Sequence, residues 1–105
     1  MEHKVQVTDK AYAQIDAIVE YISKDAPETA RRWRTRLLFE IDSLKSFPLR
    51  YGLAPESKKS RFDVRQMLFG VYRVLYVVEN NSVIVLGIRH GRRRPFRPGE
   101  LSDPT

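Results

Sequence analysis

Pro27 divides the first half of the chain into two segments, each carrying an apolar stripe at helical spacing. A proline cannot continue a helix, because it lacks the backbone N–H and its ring clashes with the preceding turn. It does suit the first position of a new helix. On the amino-terminal side Ala11, Ile15, Ile18 and Ile22 recur one turn apart, with Tyr12 and Val19 widening the stripe. Thr8 fits an N-cap, Asp9 favours the positive end of the helix dipole, and Glu20 with Lys24 form an i,i+4 pair. Beyond the proline, Ala30, Trp33, Leu37, Ile41 and Leu44 predict a second helix over 27–46, supported by Glu28 with Arg32 and ended by Phe47-Pro48. So short a link forces the two helices into an antiparallel hairpin.

The periodicity then changes. Tyr51-Gly52, Pro55 and Ser57-Lys58-Lys59-Ser60 mark a loop. Three runs rich in β-branched and aromatic residues follow, predicting strands over Phe62–Phe69, Val71–Val78 and Ser82–His90, turned by Gly70 and by Asn80-Asn81. Val5 and Val7 alternate with polar residues in a short opening strand. The order β-α-α-β-β-β implies an α+β domain, with a helical hairpin packed on one face of a small, largely antiparallel sheet. It is expected to span residues 1–98, with a tail at 99–105.

The other face of that sheet is then expected to stand open. On the middle strand Tyr72, Val74, Tyr76 and Val78 share one side, and Val71, Arg73, Leu75 and Val77 the other. On the preceding strand Val64 and Leu68 oppose Arg65 and Met67. Burying the Val64 side leaves Arg65 and Arg73 together on the open face. Arg89 and His90 point to opposite sides, and Gly87 is a candidate bulge that would reverse the parity beyond it. Alternation alone therefore leaves the side of His90 undetermined.

Composition narrows the chemistry. At 105 residues the chain makes one domain, and 42% hydrophobic residues suffice for a core. There are no cysteines and two histidines, so a disulfide framework and thiolate chemistry are excluded and a zinc centre would need carboxylates. No cofactor or metal is expected. The amino terminus carries no apolar signal-like run and no segment approaches the length of a membrane span, so a soluble, cytoplasmic protein is expected. The net charge of +6 is lopsided. Up to Leu49 eight basic residues balance eight acidic ones; beyond it eleven face five, and nine of the eleven are arginine. The guanidinium fork suits phosphate and carboxylate, so an anionic partner is expected.

Several features, taken in order, resemble the RelE/ParE superfamily of small toxins from type II toxin–antitoxin modules. They are the element order, Pro27-Glu28-Thr29-Ala30, Phe47-Pro48, Val64-Arg65, Tyr72-Arg73-Val74-Leu75-Tyr76, and Ile88-Arg89-His90-Gly91-Arg92. The resemblance runs from Val5 to about Pro95. The closing His90-Gly91-Arg92 is more similar to the ParE branch, which is associated with DNA gyrase, than to the RelE branch, which cleaves messenger RNA on the ribosome. The resemblance implies a toxin that binds gyrase without catalysis and is neutralised by a cognate acidic antitoxin. The alternative it implies is a metal-free, ribosome-dependent endoribonuclease.

Cleavage through a 2′-hydroxyl needs a base, an acid and cations around the phosphate. Glu56 as base, His90 as acid, and Arg65 with Arg73 on the phosphate would form that set, in an order that resembles YoeB-like members. Gly91-Arg92 stands where several ribonuclease members carry a tyrosine or a second histidine, which favours binding over cleavage. Lys58, Lys59, Arg61, Arg65, Arg89, Arg92, Arg93 and Arg94 are the candidates for contact with a target or nucleic acid. Each has a plainer reading. Glu56 reads as a solvated loop charge, His90 as the close of a strand through one hydrogen bond, and the Arg92–Arg94 run as a solvated tail. Trp33 and the tyrosines of the middle strand read as core. Arg73 resists dismissal, because an unpaired buried guanidinium is costly: it pairs with an acid or lies on the surface. A third possibility, a general nucleic-acid-binding module, lacks an exposed aromatic platform.

Overall fold

Thr8 ends the opening strand and begins the first helix: its hydroxyl accepts the Ala11 N–H at 3.1 Å. In the computed structural model, which describes residues 2–101 and 104, strand β1 spans Lys4–Val7 and helix α1 Asp9–Ser23. Within the expected tail 99–105, residues 102, 103 and 105 lie outside the described residues. Helix α2 starts at Pro27 and runs to Asp42, with Glu28 in its first turn. It is shorter than the expected 27–46, because the chain tightens into a 3-10 turn at Ser43–Lys45. Phe47 then takes a left-handed backbone (φ 51) before Pro48. Among the described residues the expected pairs Glu20–Lys24 and Glu28–Arg32 do not form; Glu28 meets Arg31 instead.

Strands β2 (Arg65–Phe69), β3 (Tyr72–Glu79) and β4 (Ser82–His90) complete a four-stranded sheet ordered β1-β4-β3-β2. β1 lies parallel to β4, and the other pairs are antiparallel. β2 begins at Arg65 rather than Phe62 because the preceding residues are held by the loop. Ser57 Oγ accepts the Val64 N–H at 3.1 Å, and the Ala54 N–H donates to Val64 O at 2.8 Å. Gly70 (φ 57) and Asn80 (φ 55) supply the left-handed residues of the two hairpin turns.

The helical hairpin packs on the face carrying Met67, Val74, Tyr76, Val83, Val85 and Ile88, and Ile15, Leu37, Ile41 and Leu44 complete that core. Tyr76 is fully buried, and its hydroxyl donates to Pro48 O at 2.5 Å, tying the end of the hairpin to the sheet. Burial pushes that phenol up to about 12. Trp33 is only half-buried, edge-on to Phe69 (5.8 Å) and Tyr72 (5.3 Å).

The second face is not open, contrary to the sequence-based expectation. Leu75, Val77, Ile84 and Leu86 are buried there under Ala54, Val64 and Phe96. The cover comes from the loop before β2 and the segment after β4. Full burial of each large aliphatic chain contributes about 1.5–3 kcal/mol, so this second cluster is a substantial part of the fold.

Candidate functional site

Arg65 and Arg73 do not share a face. Arg65 pairs in register with Tyr76 and therefore projects to the helix side, whereas Arg73 pairs with Leu68 and Arg89 and projects to the other. Val64 is buried, but on the face it shares with Leu68 and Arg73 and not against the helices, so burying it turns Arg65 to the helix side. Arg65 lies at the sheet edge, and its Nη1 donates to Tyr51 O at 2.7 Å.

Arg73 is paired with an acid, and that acid is Glu56. Two hydrogen bonds join them, Nη1 to Oε1 at 3.0 Å and Nη2 to Oε2 at 2.9 Å, and Nη1 also donates to Gln66 Oε1 at 3.1 Å. Glu56 is thus no solvated loop charge: the 3-10 turn Pro55–Lys59 turns it inward, and its side chain is 3% exposed. The Phe96 N–H supplies a third donor to Oε2, at 2.9 Å. Burial alone would raise this carboxyl; the Arg73 hydrogen bonds, the Phe96 amide and the Arg73 charge outweigh it and hold the pKa below the usual carboxylate range.

Arg89 is buried beside this pair. Its guanidinium lies 3.8 Å from the centroid of the Phe96 ring, and Nη1 donates to Arg94 O at 2.9 Å. Burial, with the Arg93 charge, lowers its pKa. Arg94 forms a bidentate pair with Glu100 at 2.6 and 2.9 Å, and Glu100 also accepts the Arg97 N–H at 2.8 Å. These contacts, with the Arg89 guanidinium of β4 3.8 Å from Glu100 Oε2, hold the Glu100 carboxyl down at about 2 and strap the 94–101 segment to the sheet.

His90 sits elsewhere. Gly87 does mark the bulge: Leu75 pairs with Gly87 and Tyr76 with Val85, leaving Leu86 as the extra residue. Parity reverses past it, so His90 pairs with Tyr72 and faces the helix side, its ring 5.5 Å from that of Tyr72. Nδ1 accepts the Arg92 N–H at 3.0 Å, the single hydrogen bond of its plainer reading. Glu56 and Arg73 therefore lie on one side of the sheet and His90 on the other. The structure does not assemble them into one site.

Lys58, Lys59, Arg61, Arg92 and Arg93 are exposed. Among the described residues none of these five makes an ion pair; Arg61 lies 5.4 Å from the Phe62 ring centroid. No group of three or more metal-ligating side chains occurs among the described residues, and no helix there is long and apolar enough to cross a membrane. Sequence reasoning missed Phe96, which organises this face. A large aromatic between two prolines in a polar segment was the available signal.

The architecture and its cationic second half define a class: a small basic α+β domain with two helices on a mixed four-stranded sheet, and no assembled catalytic triad of Glu56, Arg73 and His90. The family described as "ParE toxin of type II toxin-antitoxin system, parDE" matches residues 5–95, and the chain belongs to that family. Among solved structures, the chromosomal ParDE toxin–antitoxin system of P. aeruginosa superposes with a TM-score of 0.70 at 19% identity, over 85% of this chain and 96% of that one. The RelBE2 toxin–antitoxin complex of Mycobacterium tuberculosis matches at 0.57 and 21%, over 86% and 92%. An archaeal RelE–RelB complex from Pyrococcus horikoshii matches at 0.52 and 20%, over 90% and 100%. At these identities the likeness is one of fold. Among functionally curated proteins none matches the sequence.

Proposed function

We propose that this ParE-family toxin arrests growth by binding DNA gyrase and is neutralised by an acidic antitoxin whose segment folds on its arginine-rich half. The observation that carries the non-enzymatic reading is the fate of Glu56. A general base must reach its proton, yet both of its oxygens are engaged by Arg73, and one also by the Phe96 amide. The candidate acid, His90, lies across the sheet. Catalysis by this pair would require dismantling a buried ion pair and placing one scissile phosphate within reach of groups on opposite sides of the sheet. A binding surface makes no such demand, and the exposed Lys58, Lys59, Arg61, Arg92 and Arg93 are free to meet an anionic partner. The antitoxin partner is inferred from family membership and from the toxin–antitoxin complexes of the same fold.

Induction in cells followed by two readouts tests this. The expected result is inhibition of gyrase supercoiling by the purified chain and DNA damage on induction, with ribosome-bound messages intact. Codon-positioned cuts in ribosome-bound mRNA would establish the endoribonuclease reading in its place.

A further inference from the structure

A groove of about 460 Å³ runs between the loop before β2 and the segment after β4. Its apolar lining includes Phe62, Leu86, Phe96 and Leu101. Lys58, Lys59, Arg61 and Arg97 stand around it, all four exposed and none ion-paired among the described residues. At one end the Arg94–Glu100 pair is already neutralised. The family match ends at residue 95, so Phe96, Arg97 and Leu101 lie beyond it. One wall of the groove thus lies past the matched residues.

We propose that this groove is a docking site for an acidic peptide segment of a partner protein, taking one large apolar side chain into the cleft with carboxylates on either side. Naming that partner as the antitoxin rests on the toxin reading; the chemistry of the site does not. The apolar lining rewards a buried side chain, and four cations around it, without an ion pair among the described residues, reward flanking carboxylates, so hydrophobic and charge complementarity select the same ligand. A single nucleic-acid strand fits less well. Phe96 is buried with Arg89 against its ring and Phe62 is half-buried beside Arg61, so neither ring stands out as an open stacking platform.

The test uses the full chain, isotopically labelled, and three probes. One is a synthetic peptide with a Phe-Leu centre flanked by glutamates, the second its glutamine counterpart, and the third an oligo-dT strand. The glutamate peptide should move the amide signals of 58–62 and 96–101 and bind at least about tenfold more tightly than the glutamine peptide. Reversing two charges, in Lys59→Glu with Arg97→Glu, should remove that preference without lowering thermal stability. Lys24→Glu with Arg36→Glu, which changes net charge equally on the helices, should keep it. Equal binding of the two peptides, shifts elsewhere on the surface, or tighter binding of oligo-dT at these amides would overturn the proposal. Growth inhibition on expression, scored separately, distinguishes the two failures: a toxic chain that ignores the peptide retires the groove alone, and a harmless chain that binds it retires only the antitoxin as occupant.

Discussion

Arg73 and Glu56 meet fork to fork on the sheet face that the helices do not cover, 17 residues apart in sequence and nearly sealed from solvent. Breaking such a pair leaves the surviving charge buried without a partner, which costs more than the pair itself contributes. Arg73→Ala is therefore expected to destabilise the domain by about 3–5 kcal/mol. Arg65→Ala, which loses charge-assisted hydrogen bonds to backbone carbonyls at the sheet edge, should cost about 1.5–3 kcal/mol. The double replacement Glu56→Leu with Arg73→Met should recover only part of the Arg73→Ala loss, because it leaves the Phe96 N–H without its acceptor. Urea unfolding of the four proteins checks the order, and equal effects of the two alanine variants would refute the burial of the pair.

The helical hairpin was legible because each of its determinants is local. Thr8, Pro27 and the stripe Ala30–Leu37–Ile41–Leu44 act within a turn or two of themselves. The cover over the second sheet face is legible only in part. Val74–Val78 and Val83–Leu86 are unbroken apolar runs, and such runs mark strands buried on both faces. Arg73 in the same strand points the other way, because a charge in a strand is ordinarily a mark of solvent. Its partner lies in a loop with no periodicity to fix its direction, so the pairing with Glu56 was not readable from pattern. The faces of Arg65 and Arg73 are related by the hairpin register, Phe69 opposite Tyr72 across Gly70-Val71, which puts Arg65 opposite Tyr76 and on the other side from Arg73.

Acid should loosen the 94–101 segment before it unfolds the domain. Glu100 and Glu56 both have carboxyls held below the ordinary value of 4.5, Glu100 at about 2. A depressed carboxyl contributes stability that is complete above its unfolded value and is lost as pH falls through the folded one. Melting temperature should thus be flat from neutrality to about pH 5 and decline toward pH 2. Glu100→Gln should flatten part of that decline. The Arg97 amide, which donates to Glu100, should report the release directly by NMR; an amide shift that ignores acid would contradict the strap.

Gly87 is a packing requirement as well as part of the bulge. A Cβ there would stand 2.9 Å from Gln14 Oε1 and 3.3 Å from the Phe96 ring. Gln14 Oε1 accepts the Ile88 N–H at 2.9 Å, so moving it would orphan a strand amide. Gly87→Ala is expected to destabilise by about 1–3 kcal/mol, as overpacking does. Gly52→Ala meets nothing within 4 Å and serves as the control. Thermal melts of equal midpoint for the two variants would show that Gln14 yields without cost.

His90 offers the sharpest separation of binding from cleavage, because its removal spares the Glu56–Arg73 pair on which the fold leans. Its Nδ1 accepts one backbone N–H, from Arg92. Asparagine presents a carbonyl oxygen to the same donor, so His90→Asn should keep the turn after β4 and melt close to the parent. A general acid contributes roughly 10²–10⁴-fold in rate, and a nuclease relying on His90 should lose its growth inhibition with the substitution. A gyrase-binding toxin should retain it. Glu56→Gln is the weaker probe, since it disturbs a buried charge and can silence the protein through folding alone. The expected outcome is that His90→Asn remains toxic at matched expression, with gyrase inhibition unchanged. A folded His90→Asn protein that no longer arrests growth, beside a parent that cuts ribosome-bound mRNA, would reverse the assignment.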